Sequence, residues 1–140
     1  MSYNILIVDD SGSMRKVLLK TLRLSGFDLG ECFEASNGRQ ALELLEGKWI
    51  DLILSDVHMP EMDGIEFLRA LRQIEFFSNT PVVFVTTEAN EDRLRLLMEL
   101  GADGYIRKPF RPEEIRALLS QIMGEPNGGL AGTSSEECDF

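Results

Sequence analysis

An α/β fold is predicted: five βα units in succession, forming one doubly wound domain with a five-stranded parallel sheet. Apolar runs such as Ile5-Leu6-Ile7-Val8 and Leu52-Ile53-Leu54 offer hydrophobic side chains to both faces, as buried parallel strands do. Between such runs, apolar residues recur at the three- and four-residue spacing of helices. A length of 140 residues suits one domain and hardly two.

The first strand is Ile5 to Val8. Met14, Val17, Leu18 and Leu22 then recur at helix spacing, and Gly26 suits the end of that helix. Residues 30–35 read as the second strand, and Asn37 as the cap of a helix with Ala41, Leu42, Leu44 and Leu45 on its apolar side. The third strand runs from Ile50 to Ser55. Met59-Pro60 and Asp63-Gly64 break the chain before a helix that turns Ile65, Leu68 and Leu71 inward. Residues 72–80 read as a loop with Phe76 and Phe77 partly buried. Pro81 to Thr86 is the fourth strand. Asn90 or Asp92 opens the fourth helix, with Leu94, Leu97 and Met98 inward. The fifth strand spans 103–107. Pro112 suits a first helical turn, and Ile115, Leu118, Leu119 and Ile122 form the face of the fifth helix. Right-handed crossovers then place helices on both faces of the sheet. Periodicity stops at Gly124, so residues 1–123 are expected to form the domain. The Gly/Ser-rich, acidic stretch 124–140 reads as a flexible, solvated tail.

A hydrophobic content of 44% suits a globular core. A domain of this size buries roughly two-thirds of its unfolded surface, so it folds without staples. The net charge is −10 and no basic block is present, which argues against nucleic-acid or acidic-lipid partners. No basic segment with a long apolar stretch precedes the first strand, so no signal peptide is expected. No apolar run approaches the ~20 residues of a membrane helix. Cys32 and Cys138 have no CxxC or histidine neighbours and read as unrelated reduced thiols, consistent with a cytoplasmic protein.

Sites in open α/β sheets form beyond the carboxyl ends of the strands. Asp9-Asp10 follow the first strand, Asp56 the third, Thr86-Thr87 the fourth and Lys108-Pro109 the fifth, whereas the second ends blandly in Ala35-Ser36. Adjacent strands lie about 4.8 Å apart, so neighbouring first and third strands would crowd Asp9, Asp10 and Asp56. Carboxylates that close repel unless a cation or proton compensates. Hard oxygen ligands alone favour Mg²⁺. Helix capping explains Asp10 or Asp56 taken singly, but not all three together with a lysine. With strand order 2-1-3-4-5, Lys108 lies two spacings from Asp56, about 10 Å, a gap that its flexible stem spans. Thr86 on the intervening strand can donate to an anion. A metal, a central carboxylate, a hydroxyl and a cation suit phosphoryl transfer onto aspartate.

The segments ILIVDDSGSMRKVL, DLILSDVHMPEMDGIEFLRALR, PVVFVTTEAN and GADGYIRKPFRPEEI resemble response-regulator receiver domains, especially the stand-alone chemotaxis (CheY-like) type, over residues 4 to about 123. The resemblance implies a flavodoxin-like (βα)₅ domain with strand order 2-1-3-4-5. It implies that Asp56 is the phosphoacceptor and that Asp10, Asp56 and the backbone carbonyl of His58 bind Mg²⁺ (or Mn²⁺), with Asp9 acting through water. It asks no metal-binding role of the His58 imidazole. Lys108 would contact the phosphoryl group, Thr86 would move to hydrogen-bond it, and Tyr105 would turn inward. The Lys108-Pro109 bond would be cis. His58, Thr87 and Glu88 would tune phosphoryl lifetime, Thr87 being bulkier than the residue usual there. The implied partners are a histidine kinase or phosphotransfer protein and a downstream effector such as a motor component. The effector would be met at a surface around 90–99, 103–107 and 111–122, by a monomer that acts as a switch and not as a turnover enzyme. With no output domain in the sequence, output is expected through that partner, in chemotaxis or motility.

Other readings fit less well. A stand-alone receiver can also serve as a phosphorelay intermediate or as a scaffold independent of phosphorylation, although Asp9, Asp10, Asp56, Thr86 and Lys108 are all present. A Mg²⁺-dependent aspartyl phosphohydrolase needs a DxD after the first strand and room for a cap, and this chain has adjacent aspartates and short loops. A flavin-binding redox carrier would meet repulsion from Asp9 and Asp10.

Overall fold

The computed structural model describes residues 2–124. The tail expected over 124–140 lies outside the described residues apart from Gly124, as does Cys138. Five strands, β1 (Tyr3–Val8), β2 (Leu29–Ala35), β3 (Leu52–Ser55), β4 (Val82–Thr86) and β5 (Gly104–Arg107), form one parallel sheet in the order β2-β1-β3-β4-β5. Helices α1 (Gly12–Leu24), α2 (Gly38–Leu45), α3 (Gly64–Arg72), α4 (Glu91–Glu99) and α5 (Pro112–Met123) connect and follow them. None of these helices is long and apolar enough to cross a membrane.

Alternation along β1 assigns the layers. Ile5 and Ile7 face one side with Leu18 and Leu22 of α1 and Ile115 and Leu119 of α5. Leu6 and Val8 face the other, where α2, α3 and α4 contribute Ala41, Phe67, Leu68, Leu94 and Leu97. Every residue of β3 and β4 is buried, which explains their unbroken apolar sequence. Hydrophobic burial on two faces, at roughly 25 cal/mol per Å² of apolar surface, is the main stabilising term.

Side chains start four of the helices, three of them at starts that the sequence suggests. Ser11, Asn37, Asp63 and Asn90 each accept a hydrogen bond from a backbone N–H of the first turn. Asp63 and Glu66 reciprocate in a capping box. Pro112 opens α5, with Glu114 accepting from the Arg111 N–H at 2.7 Å. Three apolar residues lie further out than the sequence suggests. Val17 is 48% exposed, Met98 42% and Phe76 62%. Leu18, Leu94 and Leu97 already fill the helix–sheet interface, so Val17 and Met98 fall on the rims of their helices. The 72–80 loop contains a 3₁₀ turn, Glu75–Phe77, that buries Phe77 and turns Phe76 out.

Candidate functional site

Parallel pairing of β1 with β3 sets Val8 beside Ser55, so the residues that follow each strand emerge together. Asp9, Asp10 and Asp56 each place a carboxylate oxygen within 4.8 Å of the others. Asp9 and Asp56 are buried and Asp10 is exposed. From the far side of β4, Lys108 reaches over the sheet end as its stem length allows. Its Nζ lies 3.1 Å from Asp9 Oδ2 and 3.2 Å from Asp56 Oδ2. Backbone groups hold the other oxygens, with the Ser11 N–H donating to Asp9 Oδ1 at 2.9 Å and the Val57 N–H to Asp56 Oδ1 at 2.6 Å. One lysine faces three carboxylates, so the cluster keeps excess negative charge.

That donor set fits a small divalent cation. All the ligands are hard oxygens, and Asp10 stands open to solvent, where an ion retaining waters would sit. Two oxygens on opposite sides of one Mg²⁺ lie about 4.1 Å apart, so the set needs little closing to share an ion. Asp10 has the freest carboxylate to hold it, because backbone N–H groups and Lys108 already engage both oxygens of Asp9 and of Asp56.

Thr86 ends β4 fully buried, and its hydroxyl accepts a hydrogen bond from the Glu88 N–H at 3.1 Å. Thr87 is exposed beside it. Tyr105 lies on β5, 40% exposed and therefore turned outward. The Lys108-Pro109 bond is cis, as the resemblance implies. The His58 imidazole, which sequence reading leaves out of metal binding, has its Nε2 2.9 Å from Glu88 Oε1 and joins the loop after β3 to the loop after β4. Arg93 Nε approaches the same oxygen at 3.6 Å. Glu88 Oε2 accepts from the Asn90 N–H at 2.9 Å. That N–H, ahead of the charges of His58 and Arg93 and against some burial, holds the Glu88 carboxyl below its ordinary pKa.

Two supports escape sequence reasoning. Arg15 donates through Nη1 to the Asp9 carbonyl at 2.7 Å and through Nε to Glu34 at 2.8 Å. Its place one helical turn after Ser11 is the only sequence signal. Gly64 lies so close to the phosphoacceptor candidate that a Cβ there would strike the Asp56 carbonyl and come within 2.8 Å of the Phe84 ring and of Val57 Cα. The Asp63-Gly64 pair marks this contact in sequence as a turn, without naming its partner.

The model of the response regulator receiver domain matches residues 5–120. The chain belongs to this family. It is similar to the chemotaxis protein CheY of Pseudomonas aeruginosa, 37% identical over 124 residues that cover 89% of this chain and 98% of that one. The phosphate regulon transcriptional regulatory protein PhoB of the same organism is also 37% identical, over 89% of this chain, but the chain spans only about half of it, 53%. Among solved structures, the receiver resembles the chemotaxis response regulator CheY4 of Vibrio cholerae, at a TM-score of 0.78 and 35% identity, covering 88% of this chain and all of that one. The receiver is thus a signalling module similar to CheY, with the flavodoxin-like strand order.

Proposed function

We propose that this receiver accepts a phosphoryl group on Asp56 from a phosphohistidine of a histidine kinase or phosphotransfer protein. The observation that carries the reading is the Lys108 ammonium bridging the Asp9 and Asp56 carboxylates at one open sheet end. An Asp56 oxygen attacks phosphorus, the P–N bond breaks with its electron pair leaving on the imidazole, and an acyl phosphate results. Hydrolysis later returns the carboxylate and inorganic phosphate. Mg²⁺ (or Mn²⁺), held by Asp10, Asp56 and the His58 carbonyl, with Asp9 acting through water, would neutralise phosphoryl oxygens as negative charge gathers there. Lys108 gives up its contact with Asp56 and takes a phosphoryl oxygen. Thr86 releases the Glu88 N–H and donates its hydroxyl to another, and Tyr105 moves into the space behind it. His58, Thr87 and Glu88 rim the site and set how readily water reaches phosphorus.

This shift alters the surface of α4, β5 and α5, which we propose as the face for a downstream protein, in chemotaxis or motility by likeness to the CheY relatives of matching length. Residues 1–123 form the receiver domain, and 124–140 are an appendage to it. The domain works as a cytoplasmic monomer, a setting with which the free thiol Cys32 agrees; burial, countered by Arg23, pushes that thiol's pKa up. Intact mass after exposure to a small acyl phosphate tests the core of the reading. A single phosphoryl adduct is expected on wild type with Mg²⁺, and none with a chelator or in Asp56→Asn. An adduct retained by Asp56→Asn would overturn the assignment.

A further inference from the structure

At the opposite end of the sheet, an aromatic cluster faces solvent. Trp49, the single tryptophan of the chain, is 66% exposed and Phe76 is 62% exposed. Their rings meet edge to face with centroids 5.7 Å apart, and Phe76 meets Phe77 likewise at 5.0 Å. They border a groove of about 770 Å³ between the end of α2 and the 3₁₀ turn, with Leu42 and Leu45 also in its wall. Single exposed apolar residues are ordinary, but a contiguous aromatic patch over a groove marks an interaction site. The patch is also held in place. Trp49 Nε1 donates to Asp51 at 3.0 Å, and the Arg72 guanidinium donates to the carbonyls of Phe77, Thr80 and Gly101 at 3.0, 2.8 and 2.7 Å. Little ordering is left to oppose binding.

Charge at the rim selects the occupant. Glu43 and Glu46 stand at the carbonyl end of α2, whose dipole adds to their negative field, and Glu75 is exposed on the 3₁₀ turn. Lys48, the one cation among the lining residues, lies over the Phe33 ring at 5.3 Å. Residues 125–140 carry Glu125, Glu136, Glu137 and Asp139 without a lysine or arginine, so the rim repels them. A second copy would bring the same acidic rim and a further net charge of −10. We propose that the groove receives an amphipathic helix of a partner protein, its apolar face packed on Trp49 and Phe76 and its Lys or Arg flank against Glu43 and Glu46. Trp49 and Thr80 lead into β3 and β4, whereas Asp56 and Thr86 follow or end them, so the partner leaves the acidic site uncovered. Docking here is a tether that ignores the phosphorylation state.

Trp49 reports on the groove directly. The full chain is titrated with a synthetic helical peptide carrying leucines on one face and lysines on the other, followed by Trp49 fluorescence. Parallel titrations use the same peptide with glutamate for lysine, and a peptide of residues 125–140. A saturable blue shift is expected with the lysine peptide, and binding at least tenfold weaker with the glutamate peptide. Phe76→Ser, a change at an exposed position, weakens the lysine peptide at least tenfold, and Glu43→Lys with Glu46→Lys inverts the preference. Treatment with a phosphodonor leaves the affinity within twofold. The proposal fails if no saturable shift occurs at millimolar peptide, if both charge types bind alike, or if Phe76→Ser binds as wild type does. Tighter binding of the 125–140 peptide would assign the groove to the chain's own tail. A shift that follows protein concentration without peptide, with a doubled mass, would assign it to a second copy.

Discussion

Removing Lys108 exposes how much the acidic cluster depends on its counter-charge. The ammonium lies 3.1 and 3.2 Å from two carboxylates, with Lys108, Asp9 and Asp56 side chains only 14%, 2% and 11% exposed. At an effective dielectric constant of about 20, each attraction is roughly 5 kcal/mol before desolvation is subtracted. Carboxylates no more than 4.8 Å apart repel by about 3.5 kcal/mol per pair on the same scale. Desolvation cancels much of this, and deleting one partner of a buried ion pair costs about 3–5 kcal/mol. Lys108→Met keeps most of the aliphatic stem and isolates the charge. In chelator it is expected to lose about 3 kcal/mol, or roughly 10 °C of melting temperature. Adding Mg²⁺ should then stabilise the variant more than wild type, because the cation meets one more uncompensated charge. Asp56→Asn in the Lys108→Met background should regain part of the loss. Thermal unfolding of the three proteins with and without Mg²⁺ measures all of this. A Lys108→Met protein that melts within 2 °C of wild type in chelator would refute the reasoning, as would equal Mg²⁺ stabilisation of the two.

Gly64→Ala should cost at least about 2 kcal/mol in denaturant unfolding, since its Cβ has no room among Asp56, Val57 and Phe84; a loss below 1 kcal/mol would mean that the loop yields easily. Glu88 has a folded pKa below its ordinary value, so its stabilising contribution is complete above that ordinary value, 4.5, and is lost as pH falls through the lower folded one. The difference in urea midpoint between wild type and Glu88→Gln should therefore narrow from pH 6 to pH 3. A difference that stays constant over that range would deny Glu88 its hydrogen bond to Asn90.

Most of the fold was legible because local signals agreed with one another. Unbroken apolar runs marked β3 and β4, and Asn37, Asp63, Asn90 and Pro112 marked helix starts. The reach of Lys108 was legible too, because strand order and stem length determine it. Errors arose where periodicity meets a rim. Val17, Met98 and Phe76 are apolar residues whose inward places neighbours had taken. Contacts between loops distant in sequence left no trace in local pattern. The His58–Glu88 pair and the bond from Arg72 to the Gly101 carbonyl exist only once β3, β4 and β5 are side by side.

The same loop contacts suggest how a charge at Asp56 could reach α4. The Thr86 hydroxyl accepts from the Glu88 N–H, the Glu88 carboxylate accepts from the Asn90 N–H, and the Asn90 side chain accepts from the Arg93 N–H in the first turn of α4. Each bond is about 3 Å long, and Glu88 and Asn90 each take part in two of them, so the loop after β4 is a short relay between the acidic site and a helix start. On the proposed mechanism Thr86 would turn its hydroxyl toward a phosphoryl oxygen, and the Glu88 N–H would lose its acceptor. The loop must then find another arrangement, and His58, tied to Glu88 from the neighbouring loop, constrains which one. On that mechanism a local change of hydrogen-bond partner would bias the position of α4, as a two-state switch requires. Thr86→Val, similar in shape but without the hydroxyl, removes the first link of the relay. On this reasoning it should still accept a phosphoryl group on Asp56 while its α4 amide protons exchange alike with and without phosphate.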